Sequence, residues 1–183
     1  HLPVQSGSNK ILESMNRKHT IEDYIDKINR LKKVKPDIKF SSDFIIGYPG
    51  ENEDDFKKTI ELMMDVKFIN SFSFIYNARP GTPAASLEEI DGNVSKKRLI
   101  QFQETANKIK TLYREELLNT TLLVLFENKT KVGNNYFGRD EFYNSVIVSS
   151  NENITGSIKK IKIKDINHNT MFGDIINEVN KED

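Results

Sequence analysis

The sequence predicts an α/β segment followed by an all-β segment, divided at 118/119. Three observations carry this. Strand and helix signals alternate as strand, helix, strand, helix, strand from His1 to Asn77, the pattern of a parallel sheet. A long amphipathic helix then runs to about Leu118. Beyond it come five short strand candidates separated by Asn- and Gly-containing turns, which read as a small β-barrel or sandwich.

Taken in order, His1 to Gln5 reads as the end of a strand and leads into a Ser-Gly-Ser loop. Asn9 to Asn16 predicts a short helix with Ile11, Leu12 and Met15 on one side. Thr20 opens a longer helix. Thr20-Ile21-Glu22-Asp23 resembles a capping box with Asp in place of Glu. Ile21, Tyr24, Ile28 and Leu31 form its stripe, and Pro36 stops it. In the strand from Ile38 to Gly47, Phe40, Phe44 and Ile46 alternate onto one face, with Ser42 the polar exception. Ser41, Asp43, Ile45 and Gly47 take the other. Tyr48-Pro49-Gly50-Glu51 predicts a type II turn: proline presets the first central residue and glycine supplies positive φ at the second. Asn52 is the expected N-cap of a helix over 52–66, with Glu53, Asp54 and Asp55 in its dipole-favoured first turn and Phe56, Ile60 and Met63 inward. In Asn70 to Asn77, Phe72, Phe74 and Tyr76 share a face. After a loop from Ala78 to Gly92, Ser95 is the expected cap of the last helix, whose core face is Leu99, Phe102, Ala106, Ile109, Tyr113 and Leu117. The later strand candidates are Thr120 to Glu127, Tyr136 to Arg139, Ser145 to Ser149, Gly156 to Lys164 and Met171 to Glu178. In the fourth, Ile158, Ile161, Ile163 and Ile166 suggest a slipped alternation.

Composition narrows the function classes. The 183 residues carry 27 basic and 27 acidic side chains, so no global charge points to nucleic acid or membrane. The longest apolar run, Leu122 to Phe126, is far too short to cross a bilayer. Cysteine is absent, which excludes disulfides, Cys-ligated zinc and any thiolate-held iron–sulfur cluster made by this chain alone. Asp, Glu and His nowhere cluster at metal-ligand spacing, so no metal site is expected. His19 and His168 fall at a helix start and a turn and read as solvated surface, and no role is assigned to His1.

Asp43 is the chemical oddity. A carboxylate inside an apolar strand is costly unless it has a partner or faces a polar cavity. In a parallel α/β barrel the second face of a strand points into the lumen, where ligands bind. Asp43 is therefore either a lumen-facing binding residue or a structural aspartate bonded to nearby backbone. The turn after it has no Gly-Lys-Ser/Thr, and its acidic helix start would repel a phosphate.

Four motifs follow one another: His1-Leu2-Pro3-Val4-Gln5-Ser6-Gly7-Ser8, Met15-Asn16-Arg17, Ser41-Ser42-Asp43-Phe44-Ile45-Ile46-Gly47-Tyr48-Pro49-Gly50-Glu51, and Ala78-Arg79-Pro80-Gly81-Thr82-Pro83-Ala84-Ala85. Together they closely resemble the C-terminal part of the MiaB-type methylthiotransferases, radical S-adenosylmethionine (SAM) enzymes acting on tRNA. The stretch from Asn119 resembles their TRAM domain, a five-stranded RNA-binding barrel of OB-like kind. The resemblance implies that residues 1–118 are the C-terminal half of a six-stranded, TIM-like radical SAM barrel and 119–183 the RNA-binding domain. The first motif favours the branch modifying isopentenyladenosine in tRNA. The threonylcarbamoyladenosine branch and a non-catalytic RNA-binding remnant are the alternatives.

By the same resemblance, Gln5 contacts the SAM ribose, Arg17 binds SAM polar groups, Asp43 approaches the same ligand, and the backbone near Ile45 and Ile46 lies beside the adenine. The residue types suit this. A ribose diol needs an amide or carboxylate acceptor, and a guanidinium can grip a carboxylate bidentately. The family's cluster-holding cysteines and second cluster domain lie upstream of this chain. The resemblance therefore implies SAM as cofactor, 4Fe-4S clusters only in a full-length protein, and no catalytic residue here. It also implies a cytoplasmic monomer that acts on tRNA without a membrane. Residues 119–183 hold 8 Lys/Arg against 9 Asp/Glu, but 128–164 are net +4. Arg139, Lys129 and Lys160 are the expected phosphate contacts, with Tyr136 and Phe137 for stacking, Gly138 letting RNA approach the backbone, and Arg79 reaching RNA from the first segment.

Overall fold

The computed structural model describes residues 1–167 and 169–176. Two compact units divide at 110/111. In the first, α1 (Asn9–Ser14), α2 (Ile21–Val34), β1 (Ser41–Ile46), α3 (Glu53–Val66), β2 (Asn70–Ile75) and most of α4 (Gly92–Glu115) follow in order. β1 and β2 pair in parallel, with Asp43 opposite Phe72 and Ile45 opposite Phe74. The opening segment lies along the other edge of β1. Leu2 N donates to Ser41 O, Gln5 N to Asp43 O, and Ile45 N to Gln5 O, with Gln5 and Phe44 forming a parallel bridge. Three parallel chains result, as the alternation of signals predicts.

One face of this sheet carries the core. Val4, Phe44 and Ile46 are fully buried with Phe40, Phe56, Met63, Phe68 and Phe102. Phe44 meets Phe68 edge-on at 5.5 Å and Phe102 at 4.8 Å, the offset geometries aromatic pairs prefer. Ser42 is tolerated among them because its Oγ accepts from Val4 N at 3.0 Å. Both predicted capping arrangements form. Thr20 exchanges bonds with Asp23, and Asn52 with Asp55. Glu51 N donates to Tyr48 O at 2.9 Å with Gly50 at φ 82°, as the expected turn requires.

The start of α4 differs from expectation. The helix opens at Gly92, and Asp91 Oδ1 accepts from Asn93 N and Val94 N. Aspartate caps as well as serine does. Ser95 is instead buried in the first turn, packed where a Cβ on Gly47 would collide with its Oγ. His19 also departs from the solvated reading. It is half-buried beside Tyr24, with ring centroids 6.2 Å apart, and burial, followed by the nearby cations Lys27 and Arg17, holds its imidazole below the ordinary range.

The second unit is a closed barrel of β3 (Thr121–Lys129), β4 (Asn135–Asp140), β5 (Ser145–Ser149), β7 (Met171–Ile175) and β6 (Ile158–Ile166), in that spatial order. Every pairing is antiparallel except β5 with β7. Val124, Phe126, Tyr136, Val146, Val148, Ile161, Ile163 and Met171 fill it. The slipped alternation is a register shift between Ile163 and Asp165. It leaves Ile161 and Ile163 inside and Ile158 exposed. The expected strand end at Asn177 and Glu178, and His168, lie outside the described residues. Gly138 faces inward. A Cβ there would stand 2.5 Å from Leu125 O, so the glycine serves close strand packing and not approach by a ligand. Of the stripe expected for the last helix, Leu99, Phe102, Ala106 and Ile109 pack in the core of the first unit, Tyr113 accepts from Asn144 in the second, and Leu117, beyond the end of α4, packs on the barrel core. Hence the division falls inside the helix, while the texture changes from helix to strand at 118/119.

Candidate functional site

The second face of the β1–β2 sheet is open. Alternation brings Ser41, Asp43 and Ile45 to it from β1, and pairing adds Phe72 and Phe74 from β2, 52% and 59% exposed. Two large exposed aromatics side by side are unusual in a small unit and mark a surface that something covers. Gln5 comes from the opening segment with φ 79°, an uncommon conformation for a residue with a Cβ. Such an outlier persists only where its surroundings over-determine it. Here the backbone bonds to Asp43 and Ile45 fix Gln5 on one side. On the other, Gly7 N donates to Thr59 Oγ1 at 2.9 Å and Ser8 Oγ to Asp55 Oδ1 at 2.7 Å. A Cβ on Gly7 would collide with the Lys58 carbonyl, so the loop lies directly on α3. Asp55 in turn takes Lys10 Nζ at 2.9 Å; burial raises its carboxyl, but Ser8, Lys10 and the Asn52 N–H outweigh that and hold it below the usual range.

Asp43 is neither buried nor bonded only to backbone. Its side chain is 32% exposed, with Oδ2 3.4 Å from His1 Nε2. The His1 ring also reaches Ser41 Oγ at 2.9 Å and meets Phe72 edge-on at 6.1 Å. The sequence reading assigned His1 no role; the period of two that puts Leu2 and Val4 in the core already places His1 on the face of Gln5. Ile45 faces the open side, whereas the Ile46 side chain is fully buried in the core. Only the backbone of Ile46 could serve a ligand, and its carbonyl accepts from Tyr76 N. Arg17 is exposed beyond α1 and makes no bond with Gln5 or Asp43 in the structure.

Beyond the C-terminal end of β1, the turn is held by α4. Arg98 NH1 donates to Glu51 Oε1 at 2.9 Å and to Glu51 O at 3.1 Å, NH2 reaches Glu53 Oε2 at 3.2 Å, and the guanidinium sits 5.6 Å from the Phe56 ring centre. Glu51 Oε1 also accepts from Gly47 N at 3.2 Å. Residues 47–51 are thus tied from both ends by one carboxylate. A buried Arg–Glu pair forty-seven residues apart has no signature in a single sequence.

On the barrel, Arg139 pairs across from Leu125 on the outer surface. Its Nε stands 3.2 Å from Glu127 Oε1, and its guanidinium lies 5.3 Å from the Phe137 ring and 5.9 Å from the Tyr143 ring. Lys160 stands opposite Leu123 on β6. Lys129 turns over the Tyr136 ring at 5.8 Å, with Nζ 3.2 Å from Asn134 Oδ1. Tyr136 is 4% exposed and packs inside the barrel, so it cannot stack on a base as expected; Tyr143, beside Arg139, is exposed. Arg79 lies in the first unit, in an exposed turn whose carbonyl accepts from Thr82.

A family model for the radical SAM superfamily matches residues 1–63, which contain Gln5, Arg17 and Asp43. The chain is 50% identical over 182 residues to a tRNA-2-methylthio-N(6)-dimethylallyladenosine synthase of Pelagibacter ubique, covering 100% of this chain. Proteins of the same name from Vesicomyosocius okutanii and Ehrlichia chaffeensis are 44% and 42% identical over 98% and 97% of it. The chain matches the MiaB-type synthase family over its whole length. It spans about 41% of the length of each of these relatives. The match runs through both units.

Proposed function

We propose that this chain is the C-terminal part of a tRNA-2-methylthio-N6-isopentenyladenosine (dimethylallyladenosine) synthase. In this reading residues 1–118 are the last three strands of a six-stranded radical SAM barrel, and 119–183 are a TRAM domain that holds tRNA. The whole-length match to synthases of that name is the observation that carries it. The shared name favours this branch over the threonylcarbamoyladenosine one.

The open sheet face fits SAM. Gln5 and the Asp43 carboxylate offer acceptors to a ribose diol, Phe72 and Phe74 offer apolar cover, and the Ile45 backbone lies on the same strand. Arg17 would reach the amino-acid end from beyond α1. The clamp on residues 47–51 keeps the end of β1 in place while the ligand binds. SAM and its cluster supply the radical when bound. The chain contains no cysteine, so the thiolates that hold the cluster fall to residues outside it.

In the full-length protein, Asp43→Ala and Arg17→Ala are expected to weaken equilibrium SAM binding about tenfold while leaving the melting temperature nearly unchanged, since both side chains are at least partly exposed. Anaerobic SAM titrations and melts of the same samples check this. A variant that melts early yet binds normally when folded would mark that residue as structural.

A further inference from the structure

We propose that His1 is a positioning residue for SAM that acts through Asp43. The inference rests on the reading of the sheet face as a SAM site. His1 is held on both ring nitrogens. Its Nδ1 is 2.9 Å from Ser41 Oγ and its Nε2 3.4 Å from Asp43 Oδ2. In the tautomer that carries the proton on Nε2, the Ser41 hydroxyl donates to Nδ1 and Nε2 stands within ion-pair distance of the carboxylate. Phe72 closes a third side of the ring edge-on. The main chain fixes the position, since Leu2 N donates to Ser41 O and Leu2 and Val4 are anchored in the core. Tyr24, whose OH donates to Leu2 O at 2.7 Å, adds a second anchor.

The consequence concerns the second carboxylate oxygen. With Oδ2 facing the imidazole, Oδ1 accepts no hydrogen bond among the described residues. It lies on the open face with Gln5 and the two exposed phenylalanines. A free Asp side chain would rotate about χ1 and χ2 and pay that freedom on binding. One held by an imidazole presents Oδ1 in a single direction, ready to accept from a ribose hydroxyl. His1 thus acts as an orienting partner of a ligand-binding acid, as outer-shell residues do at many sites.

The test uses the full-length protein and equilibrium SAM binding, with thermal melts as the control for folding. His1→Ala is expected to weaken SAM binding about tenfold. His1→Gln, whose side-chain amide can place an N–H toward Asp43, is expected to bind within about threefold of wild type. In an Asp43→Ala background, His1→Ala should cost nothing further, because the residue acts through the carboxylate. Unchanged affinity in His1→Ala, or a loss that adds in full to that of Asp43→Ala, would overturn the positioning role. Wild-type protein that fails to bind SAM at all would overturn the SAM-site reading itself, and this role with it.

Discussion

Arg98 is the side chain on which the turn after β1 most depends. It is buried with Glu51, their side chains 9% and 1% exposed, and it also supports the Glu51 carbonyl and the Phe56 ring. Removing one partner of such a pair leaves a charge without water or counter-ion, at about 3–5 kcal/mol. Burial already pushes the Glu51 carboxyl above the usual range, and the Gly47 N–H and Arg98 only partly offset this. Without Arg98 it should rise further. A carboxyl whose folded-state pKa is raised holds its proton more tightly when folded, so its contribution is fully present below the unfolded value and is lost as pH rises through the folded one. Arg98→Ala should therefore melt well below wild type at neutral pH and recover part of the deficit as pH falls toward 4.5, the ordinary glutamate value. Melts at several pH values decide it; a deficit independent of pH would assign the loss to packing on Phe56.

At the scale of elements, local signals were legible and long-range partners were not. The caps at Thr20 and Asn52, the Pro-Gly turn and the alternation of β1 are encoded within a few residues, and each forms as read. Gln5, Asp43 and Ile45 came together because period two and parallel pairing suffice to place them. The period of two places His1 on the face of Gln5, but its contacts with Ser41 and Asp43 lie about forty residues away and have no local signature. Ser95 was misread because the packing of Gly47 against it depends on tertiary approach. Gly138 and Tyr136 were read as RNA-facing because a small barrel's inward and outward positions cannot be phased from a four-residue strand. The inward glycine yields a prediction. Gly138→Ala places a methyl against the Leu125 carbonyl and Val124. With backbone on one side there is little room to relax, so the barrel should lose about 1–3 kcal/mol. Denaturant melts of the full chain check this, and an unchanged midpoint would mean that β3 and β4 can separate freely at that point.

For the molecule as a whole, zero formal net charge removes long-range attraction as a source of RNA affinity. Under the proposed function any hold of this chain on tRNA would come from local charge, and the net +4 of residues 128–164 is where it would act. Within that stretch Arg139 is braced between Phe137 and Tyr143 and partly neutralised by Glu127. A braced guanidinium loses little freedom when it meets a phosphate, and its aromatic neighbours can stack on an unpaired base. Glu127 opposes the same contact, since a phosphate must displace or share its carboxylate. Substitutions at the two positions should thus move tRNA binding in opposite directions. In the full-length protein, Arg139→Ala should weaken binding to cognate and non-cognate tRNA alike and flatten the plot of log affinity against log salt by about one unit. Glu127→Ala should tighten binding at low salt, because the exposed pair contributes little to stability and its loss frees the cation. Affinities measured across a salt series for both variants test the pair together. If Glu127→Ala weakens binding as Arg139→Ala does, the ion pair itself shapes the surface, and the outer face of β3 and β4 does not contact phosphate through Arg139.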